Sequence, residues 1–293
     1  MAKYGTIVTA TVTDENEKEY FVQVDGVTFA LNKEDVDETL VRGNQVEGMI
    51  YETRNGKKVI QTELPDIRPE YYGWGTVVQA RKDLGVFVDI GLKDKEVVVS
   101  LDDLPALSHL WPKKEGRLFL TYTVDERNRF WGKMADEEVM RQQFKKAPTD
   151  AMNQNVTATV YRVKKAGSLC ITTEGYSAFL HESERQTEPR LGEVLEARVI
   201  GVRQDGGINI SLKPRAHEAI DDDAGLIQAI LMKAPGHFLP LHDKSDPEQI
   251  IQQLGISKGQ FKRAVGQLLK KKLIRQVKGE GIYLNDEATS AGV

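Results

Sequence analysis

Cysteine is almost absent from this sequence, and long hydrophobic runs are absent altogether. Cys170 is the single cysteine, so no intramolecular disulfide can form and a reducing compartment is the natural environment of the chain. No apolar stretch approaches the roughly 18 residues that a transmembrane helix needs, and the opening residues lack the pattern of a secretory signal peptide. We therefore expect a cytoplasmic protein that has no membrane partner.

The local signatures of common enzyme classes are also missing. The sequence contains no Walker-type phosphate loop, no zincin helix and no paired Cys-x-x-Cys motif. The five histidines, which lack the spacing of metal ligands, are His109, His181, His217, His237 and His242. The sequence thus predicts a protein without enzymatic activity, without a metal or other cofactor, and without a small-molecule substrate.

The composition is that of a globular protein with several small domains. The chain has 293 residues, of which 40% are hydrophobic and 29% are charged, and this length favours two to four domains. The formal net charge is -4 at pH 7. This charge argues against a protein that wraps nucleic acid along its whole surface, but it leaves room for local basic faces.

Residues 178–213 show the clearest β pattern in the chain. Apolar and polar side chains mostly alternate there, as expected of half-buried strands, and Asp205-Gly206-Gly207 supplies a tight turn. This stretch resembles the closing half of the S-one (S1) motif, an RNA-binding OB-fold repeat named after a ribosomal protein. The residues that match the motif are His181, Ser183, Glu184, Gly192, Gly206, Ser211, Leu212 and Lys213.

Two more divergent copies of this strand pattern lie upstream. Each copy has five short strands with the rhythm of a Greek-key OB barrel, and successive copies start roughly 70 to 80 residues apart, which indicates repeated domains. We predict three OB-fold repeats of the S1 type at residues 1–64, 65–150 and 151–214, the first of them degenerate. A short helix is predicted over residues 136–147, and an acidic linker around residues 221–223.

The apolar spacing becomes helical from Ala224 onward. Leu226, Ile227, Ile230 and Leu231 recur at helical intervals. Asp246 and Ser257 are predicted to cap two further helices, and residues 273–284 to form a two-stranded wing. We therefore predict a winged helix-turn-helix domain at residues 222–286. The complete fold class is a multidomain, mainly β protein, in which three five-stranded OB barrels precede an α+β winged-helix domain.

OB barrels bind single-stranded nucleic acid by stacking bases on exposed aromatic rings beside a basic groove. The S1 resemblance implies two aromatics on the second strand, a histidine on the third, and an Asp-x-x-x-Arg spacing across the last hairpin. The candidates for RNA binding that fit these positions are Phe21 in the first copy, Phe87, Asp125 and Arg129 in the second, and His181 in the third. No copy has the full set, so each alone should bind weakly.

Each of these positions also has a structural explanation. Phe21 and Phe87 could be ordinary barrel-core residues, and His181 could make a hydrogen bond to the following turn. Trp74, a further candidate for RNA binding, could either stack a base or pack against a linker, and the same two explanations apply to Trp131.

The helix that begins at Ser257 carries a second group of candidates. Phe261, Val265, Leu268 and Leu269 are predicted to face the core. Phosphate contact is the simplest reason for a basic cluster in an acidic protein, and it makes Lys258, Lys262, Arg263 and Lys270 candidates for RNA binding. The alternative is a solvated face, and a lysine near a helix C-terminus is also favoured by the helix dipole.

The domain order of three OB-type repeats and a winged helix resembles the bacterial conserved virulence factor B family. The stretches that carry this resemblance most specifically are residues 239–247 and 257–266. The resemblance implies a cytoplasmic RNA-binding protein that influences gene expression after transcription, including virulence. It also implies that the winged helix cooperates with the repeats in holding RNA.

From these observations we expect a non-enzymatic, monomeric regulator that binds single-stranded RNA. One alternative is a DNA-binding transcription regulator that places the helix at residues 257–272 in the major groove. The other is an adaptor whose OB folds bind protein.

Overall fold

The computed structural model describes residues 3–285, and within this range it describes only the backbone of residues 216–221. The chain divides after Lys213 into two compact units. We call the part up to Lys213 the barrel unit and the part from Pro214 onward the winged-helix unit. In the described residues, no helix is both long and apolar enough to span a membrane.

The barrel unit contains three closed barrels of five strands each, as predicted. The first comprises β1 (Ile7–Glu15), β2 (Glu19–Val24), β3 (Val27–Asn32), β4 (Gln45–Glu52) and β5 (Lys58–Gln61). The second comprises β6 (Gly73–Arg81), β7 (Gly85–Asp89), β8 (Val97–Val99), β9 (Arg117–Val124) and β10 (Phe130–Met134). After α1 (Glu137–Arg141), the third comprises β11 (Asn155–Lys164), β12 (Gly167–Thr172), β13 (Ser177–His181), β14 (Val194–Val202) and β15 (Ile208–Ser211).

All three barrels share one topology. The first strand of each pairs antiparallel with the second and the fourth, and the third pairs in parallel with the fifth to close the barrel. Close approach of strands at the start of β7 and β12 requires glycine. At Gly85 and Gly167 φ is +123° and +153°, and a Cβ would lie 2.1 Å from the Val99 oxygen and 2.3 Å from the Leu180 oxygen, respectively.

A buried polar contact joins the first barrel to the second. The Tyr51 hydroxyl lies 2.9 Å from Gln61 Oε1 and 3.0 Å from the carbonyl oxygen of Lys93, which belongs to the second barrel. The Gln61 side-chain amide also donates to the carbonyl of Gly91, at 2.9 Å. Burial raises the pKa of Tyr51 to about 12, so the phenol stays neutral and can donate at physiological pH. This contact fixes the orientation of the two barrels.

The second and third barrels are also joined directly. The Arg117 amide donates to the Gly192 carbonyl at 2.8 Å, and the Leu191 amide donates to the Leu110 carbonyl at 3.0 Å. Apolar side chains from both barrels pack together at this junction; they are Phe119, Ala135, Met140 and Ile171. The three barrels therefore form one body.

Cys170 lies inside the third barrel. Its side chain is fully buried among apolar residues of β11, β13 and β15. Burial raises the pKa of the Cys170 thiol to about 12. The thiol is therefore protonated at neutral pH, and it behaves as a small core residue.

The helix over residues 136–147 was predicted too long, because α1 covers only Glu137–Arg141. The Asp136 carboxylate accepts from the amides of Glu138 and Val139 and starts α1, which ends at Arg141. Beyond α1 the amides of Lys145 and Ala147 donate to carbonyls of the third barrel, each at 2.8 Å. A following proline also disfavours helical backbone at Ala147. These residues thus pair with the barrel instead of extending the helix.

The winged-helix unit has three helices and a small sheet in its described residues. They are α2 (Ala216–Lys233), β16 (Phe238–Leu239), α3 (Pro247–Leu254), α4 (Lys258–Lys270), β17 (Ile274–Val277) and β18 (Gly281–Leu284). The predicted caps are confirmed, because Asp246 accepts from the Glu248 amide and Ser257 forms a reciprocal capping box with Gln260. The winged helix-turn-helix fold is confirmed with them.

Two details of the winged-helix prediction are wrong. The wing sheet has three strands, because β16 pairs with β18 on the side opposite β17. Residues 221–223 lie inside α2, where an acidic linker was predicted. The side-chain nitrogen Nε2 of Gln260, on α4, donates to the Asp223 carboxylate at 3.3 Å. An acidic side chain at this position thus helps to hold α2 against α4.

The junction of the first two barrels leads to a stability prediction. Replacing Tyr51 by phenylalanine removes the one hydroxyl donor that Gln61 Oε1 and the Lys93 carbonyl share. Loss of this donor should lower the free energy of unfolding by about 1 to 3 kcal/mol. Tyr71→Phe is the matched control, because Tyr71 is 61% exposed. Urea denaturation of both variants checks the expectation, and equal stability of the two would contradict it.

Candidate nucleic-acid interface

A line of side chains crosses the outside of the second barrel. Phe87 lies on β7 between Val86 and Val88, which are fully buried, so the Phe87 ring points away from the core. In register, Phe87 is opposite Val98 on β8, and Val98 is opposite Trp131 on β10. All three are half-buried. We call Phe87, Val98 and Trp131 the outer row of the second barrel; neighbouring strands place its members about 5 Å apart.

Asp125 organises the Trp131 end of this row. Its Oδ2 accepts from Trp131 Nε1 at 3.0 Å and from Arg129 Nε at 2.7 Å. Its Oδ1 accepts from the backbone amides of Arg127 and Arg129, both at 2.9 Å. The Trp131 bond and the other hydrogen bonds hold the pKa of the Asp125 carboxyl well below its usual range. The carboxylate is therefore charged throughout the physiological range and fixes both side chains.

The Arg129 guanidinium lies over the Trp131 ring, 5.3 Å from the ring centre. A cation in this position is attracted by the negative face of the indole. The spacing Asp-x-x-x-Arg, predicted from the resemblance, thus places Asp125 and Arg129 in contact at the end of the outer row. Trp131 belongs to the same cluster, although the sequence left open whether it packs against a linker.

The third barrel has an outer row of the same construction, which we define as Leu169, Phe179 and Asn209. Leu169 on β12 is opposite Phe179 on β13, and Phe179 is opposite Asn209 on β15. Phe179 lies between the buried residues Ala178 and Leu180, so its ring faces outward. The S1 pattern places aromatics on the second strand, and for this reason it missed Phe179 on the third. The signal that could have revealed it is the apolar run Ala178-Phe179-Leu180, because the middle residue of three in a strand faces the side opposite to its two neighbours.

A guanidinium also lies at the last hairpin of the third barrel. Arg203 and Gly207 occupy the positions that the Asp-x-x-x-Arg spacing assigns to the acid and the arginine, so the motif pair is absent from this hairpin. Arg203 instead extends across the hairpin over Gly207, where a Cβ would lie 2.0 Å from its Nη2. Arg203 Nε donates to Asp205 Oδ1 at 3.2 Å. The glycine thus provides the space for an arginine from the opposite strand.

His181 lies exposed at the end of β13, with its ring centre 6.1 Å from that of Phe179. Its Nδ1 accepts from the Ser183 amide at 3.1 Å, so the side chain caps a short 3-10 turn. Asn32 and Ser100 cap the same turn in the other two barrels. This position therefore has a structural role in all three barrels, and in the third its exposed ring also borders the outer row.

The first barrel has a partly covered outer row. Phe21 on β2 faces outward between the buried residues Tyr20 and Val22, and it is opposite Ala30 on β3. Ala30 is opposite Val59 on β5. The next neighbour, Tyr51 on β4, is only 1% exposed because it packs against the second barrel. The row of the first barrel is thus closed at one end.

Trp74 lies on the outside of the second barrel, away from its outer row. The partner of Phe87 on β6 is Gln79, whereas Trp74 lies near the other end of that strand. Its ring centre is 5.1 Å from that of Phe119, and the Arg117 guanidinium lies 5.4 Å from it. It lines a cleft of about 760 Å³ that the linker between the first two barrels also borders.

The basic candidates on α4 differ in their surroundings. Lys262, Arg263 and Lys270 are exposed, whereas Lys258 is half-buried and its Nζ donates to the Ser245 carbonyl at 2.8 Å. Lys258 therefore already stabilises the domain. The prediction that Leu269 faces the core is wrong, since Leu269 is 36% exposed. Eight residues after Phe261, a helical side chain is rotated by about 80° from that face.

Three OB barrels followed by a winged helix define a protein assembled from folds that commonly bind nucleic acid. The model described as S1 domain matches residues 4–62, and the model described as CvfB first S1-like domain matches residues 72–133. The model described as virulence regulatory factor CvfB, second domain, matches residues 140–214. The model described as CvfB-like winged helix domain matches residues 226–284. The chain belongs to the conserved virulence factor B family. None of these four models describes an enzyme.

Two relatives and one solved structure are similar over most of the chain. Conserved virulence factor B of Staphylococcus epidermidis (strain ATCC 12228) is 38% identical over 252 residues, which cover 85% of this chain and 84% of the relative. YitL of Bacillus subtilis (strain 168) is 36% identical over 275 residues, covering 94% and 92%. The crystal structure of a multidomain protein with nucleic acid binding domains from Streptococcus pneumoniae TIGR4 has 44% identity and a TM-score of 0.71, covering 96% of this chain and 98% of the other.

The outward orientation of Phe87 leads to a stability prediction. Phe87→Ala should lower the free energy of unfolding by less than about 1 kcal/mol, because a half-exposed ring leaves no sealed cavity. Phe130→Ala is the matched control in the same barrel. Phe130 is only 3% exposed, and its loss should cost about 3 to 5 kcal/mol. Thermal and urea unfolding check this, and similar losses for the two variants would show that Phe87 is a core residue.

The bond between Asp125 and Trp131 leads to a pH prediction. Because the pKa of Asp125 is lowered in the folded chain from 3.8, the bond should persist above that pH and be lost only as the pH falls through the lowered value. The Trp131 indole N–H resonance should therefore stay constant from pH 7 to about 4. Trp111, whose Nε1 donates to the Pro105 carbonyl at 2.7 Å, is the internal control without a titrating partner. A Trp131 transition centred near pH 4 would contradict the prediction.

Proposed function

We propose that the protein is a non-enzymatic regulator that binds single-stranded RNA and acts on gene expression after transcription, in the cytoplasm and as a monomer. The observation that carries the proposal is the outer row of the second barrel, in which Phe87 and Trp131 lie on one face with the Arg129 guanidinium beside them. Phe179 in the outer row of the third barrel, together with His181 at the border of that row, extends the same chemistry.

The chemistry of these rows favours unpaired bases. An aromatic ring and a guanidinium can stack on a base only when its face is exposed, as in single-stranded RNA. A duplex keeps its bases stacked on each other, and phosphate contacts alone suit a protein of net charge -4 poorly. The family description as a virulence regulatory factor supports a regulatory role. The similarity to a Streptococcus pneumoniae protein with nucleic acid binding domains supports nucleic acid as the ligand.

A competition between nucleic acids tests the proposal. Fluorescence anisotropy with a mixed-sequence single-stranded RNA and with a duplex DNA of equal length, at low and physiological salt, should show preference for the RNA at both. Phe87→Ala and Trp131→Leu should each weaken RNA binding about five-fold or more, because a stacked base contributes about 1 to 3 kcal/mol. Leu107→Ala is the control, since Leu107 is 55% exposed outside the row. A preference for duplex DNA would instead support the transcription-regulator alternative.

The basic face of α4 is tested by salt dependence. Lys262→Gln combined with Arg263→Gln should lower RNA affinity and reduce the salt slope by about 0.7 for each phosphate that the variant no longer binds. Lys258 is left unchanged because its Nζ bonds to Ser245. Lys233→Gln, at the exposed end of α2, is the control. It shows how much the salt slope changes when one positive charge is removed away from α4. An unchanged slope in the double variant would mean that this face of α4 is only solvated.

A further inference from the structure

The outer face of the wing sheet carries two aromatic side chains and one arginine on neighbouring strands. These residues are separate from the basic side chains of α4. Phe238 on β16 is opposite Tyr283 on β18, and Arg275 on β17 is opposite the same tyrosine. The residues next to them in the strands face the core and are buried; they are Leu239, Ile274, Ile282 and Leu284. Phe238, Tyr283 and Arg275 therefore point away from the core, and we call them the wing platform.

The three side chains of the wing platform stack on one another. The ring centres of Phe238 and Tyr283 are 4.5 Å apart with an angle of 31° between the ring planes. The Arg275 guanidinium carbon lies 4.4 Å from the centre of the Tyr283 ring. The strand order β16–β18–β17 puts Phe238 and Arg275 on opposite sides of Tyr283. The result is a column that runs across the sheet and ends in a guanidinium on the edge strand.

Arg275 is exposed, and no carboxylate of the described residues lies within ion-pairing distance of it. This distinguishes it from Arg129, which also lies over an aromatic ring but is bound to Asp125. Glu280 is the sole acidic residue in the sequence from Lys258 to Asn285, and its carboxylate lies 3.4 Å from the Tyr283 hydroxyl. Within the described part of the chain, the guanidinium of Arg275 is therefore oriented by Tyr283 and is not bound to a carboxylate.

Packing alone explains why Phe238 is part of the wing platform. Gly281 has no side chain, and a Cβ there would lie 2.8 Å from the Phe238 ring, so Phe238 covers bare backbone. Covering Gly281 does not explain why the edge strand carries Arg275, which has no acidic partner among residues 3–215 and 222–285. A planar guanidinium can bind a ring on one face and a base on the other while its edge donates to a phosphate. Lys272 and Lys278 flank β17 and add positive charge.

We propose that the wing platform binds an unpaired nucleobase of single-stranded RNA, with the base stacked on the free face of the Arg275 guanidinium. The site rests on the proposed RNA-binding function and adds a base-stacking site to the winged-helix unit, separate from the phosphate contacts expected on α4. Tyr283 positions the guanidinium, and the N–H donors of Arg275 bind the phosphate next to the stacked base.

Three variants of the full chain separate stacking from charge. Arg275→Lys keeps the charge but removes the planar group, and Tyr283→Leu removes the ring that orients it. Tyr283→Phe is the matched control, because it keeps the ring and loses only the hydroxyl near Glu280. The probes are a fluorescein-labelled oligouridylate and a ribose-phosphate oligomer of equal length without bases. Thermal unfolding checks that each variant folds, and the exposed Arg275→Lys change carries the test if Tyr283→Leu does not fold.

Arg275→Lys and Tyr283→Leu should weaken oligouridylate binding about five-fold or more, the loss of one stacked base. Tyr283→Phe should stay within about two-fold of the parent, and binding of the base-free oligomer should not change. Oligouridylate with 5-iodouridine should cross-link on irradiation to Tyr283 or Phe238. If the parent binds the RNA and Arg275→Lys binds equally well, the proposal of base stacking at the wing platform is refuted, while the proposed function stands.

Two other outcomes would also refute base stacking at the wing platform. Equal weakening of both probes by Arg275→Lys would assign Arg275 a phosphate contact without a stacked base. No binding of oligouridylate or mixed-sequence RNA by the parent protein would overturn the proposed function as well. In that case, binding of a proline-rich peptide that Tyr283→Leu abolishes would identify the wing platform as a protein-binding surface.

Discussion

The parallel pairing of the third and fifth strands is the constraint on which each barrel and its binding face depend. This pairing closes the barrel, and it also sets the register that brings residues from three strands into one line. Since side chains alternate along a strand, a residue between two core positions must point outward. Phe87, Val98 and Trp131 come from strands up to 44 residues apart in sequence, and the closure puts them side by side.

The same architecture explains why three similar barrels need not act alike. The buried contact of Tyr51 with Gln61 and Lys93 orients the first barrel so that one end of its outer row faces the second. The second and third barrels keep their rows exposed, each with a guanidinium at the last hairpin. Docking of one repeat against another has thus changed the surface that the shared fold makes available. The first barrel supports its neighbour and offers less surface of its own.

Much of the fold followed from local sequence patterns. Alternation predicted the strands, and Asp246 and Ser257 predicted the helix starts, because each cap satisfies nearby amides. Local patterns failed where distant residues decide the structure. Lys145 and Ala147 pair with the third barrel, and β16 pairs with β18 across a gap of some 40 residues. The candidate site shows the same limit, since Phe87, Asp125 and Arg129 came from a motif. Phe179 was identified from the strand register, and Arg203 from its position over Gly207.

The burial of Cys170 has a practical consequence. Its thiol is sealed inside the third barrel with a pKa of about 12, so maleimides and other thiol reagents have no accessible thiolate to modify in the folded chain. A cysteine introduced at an exposed position of either unit would therefore be the single reactive one. A fluorophore or spin label can be attached there without replacing a core residue, and the labelled chain keeps its native barrel packing.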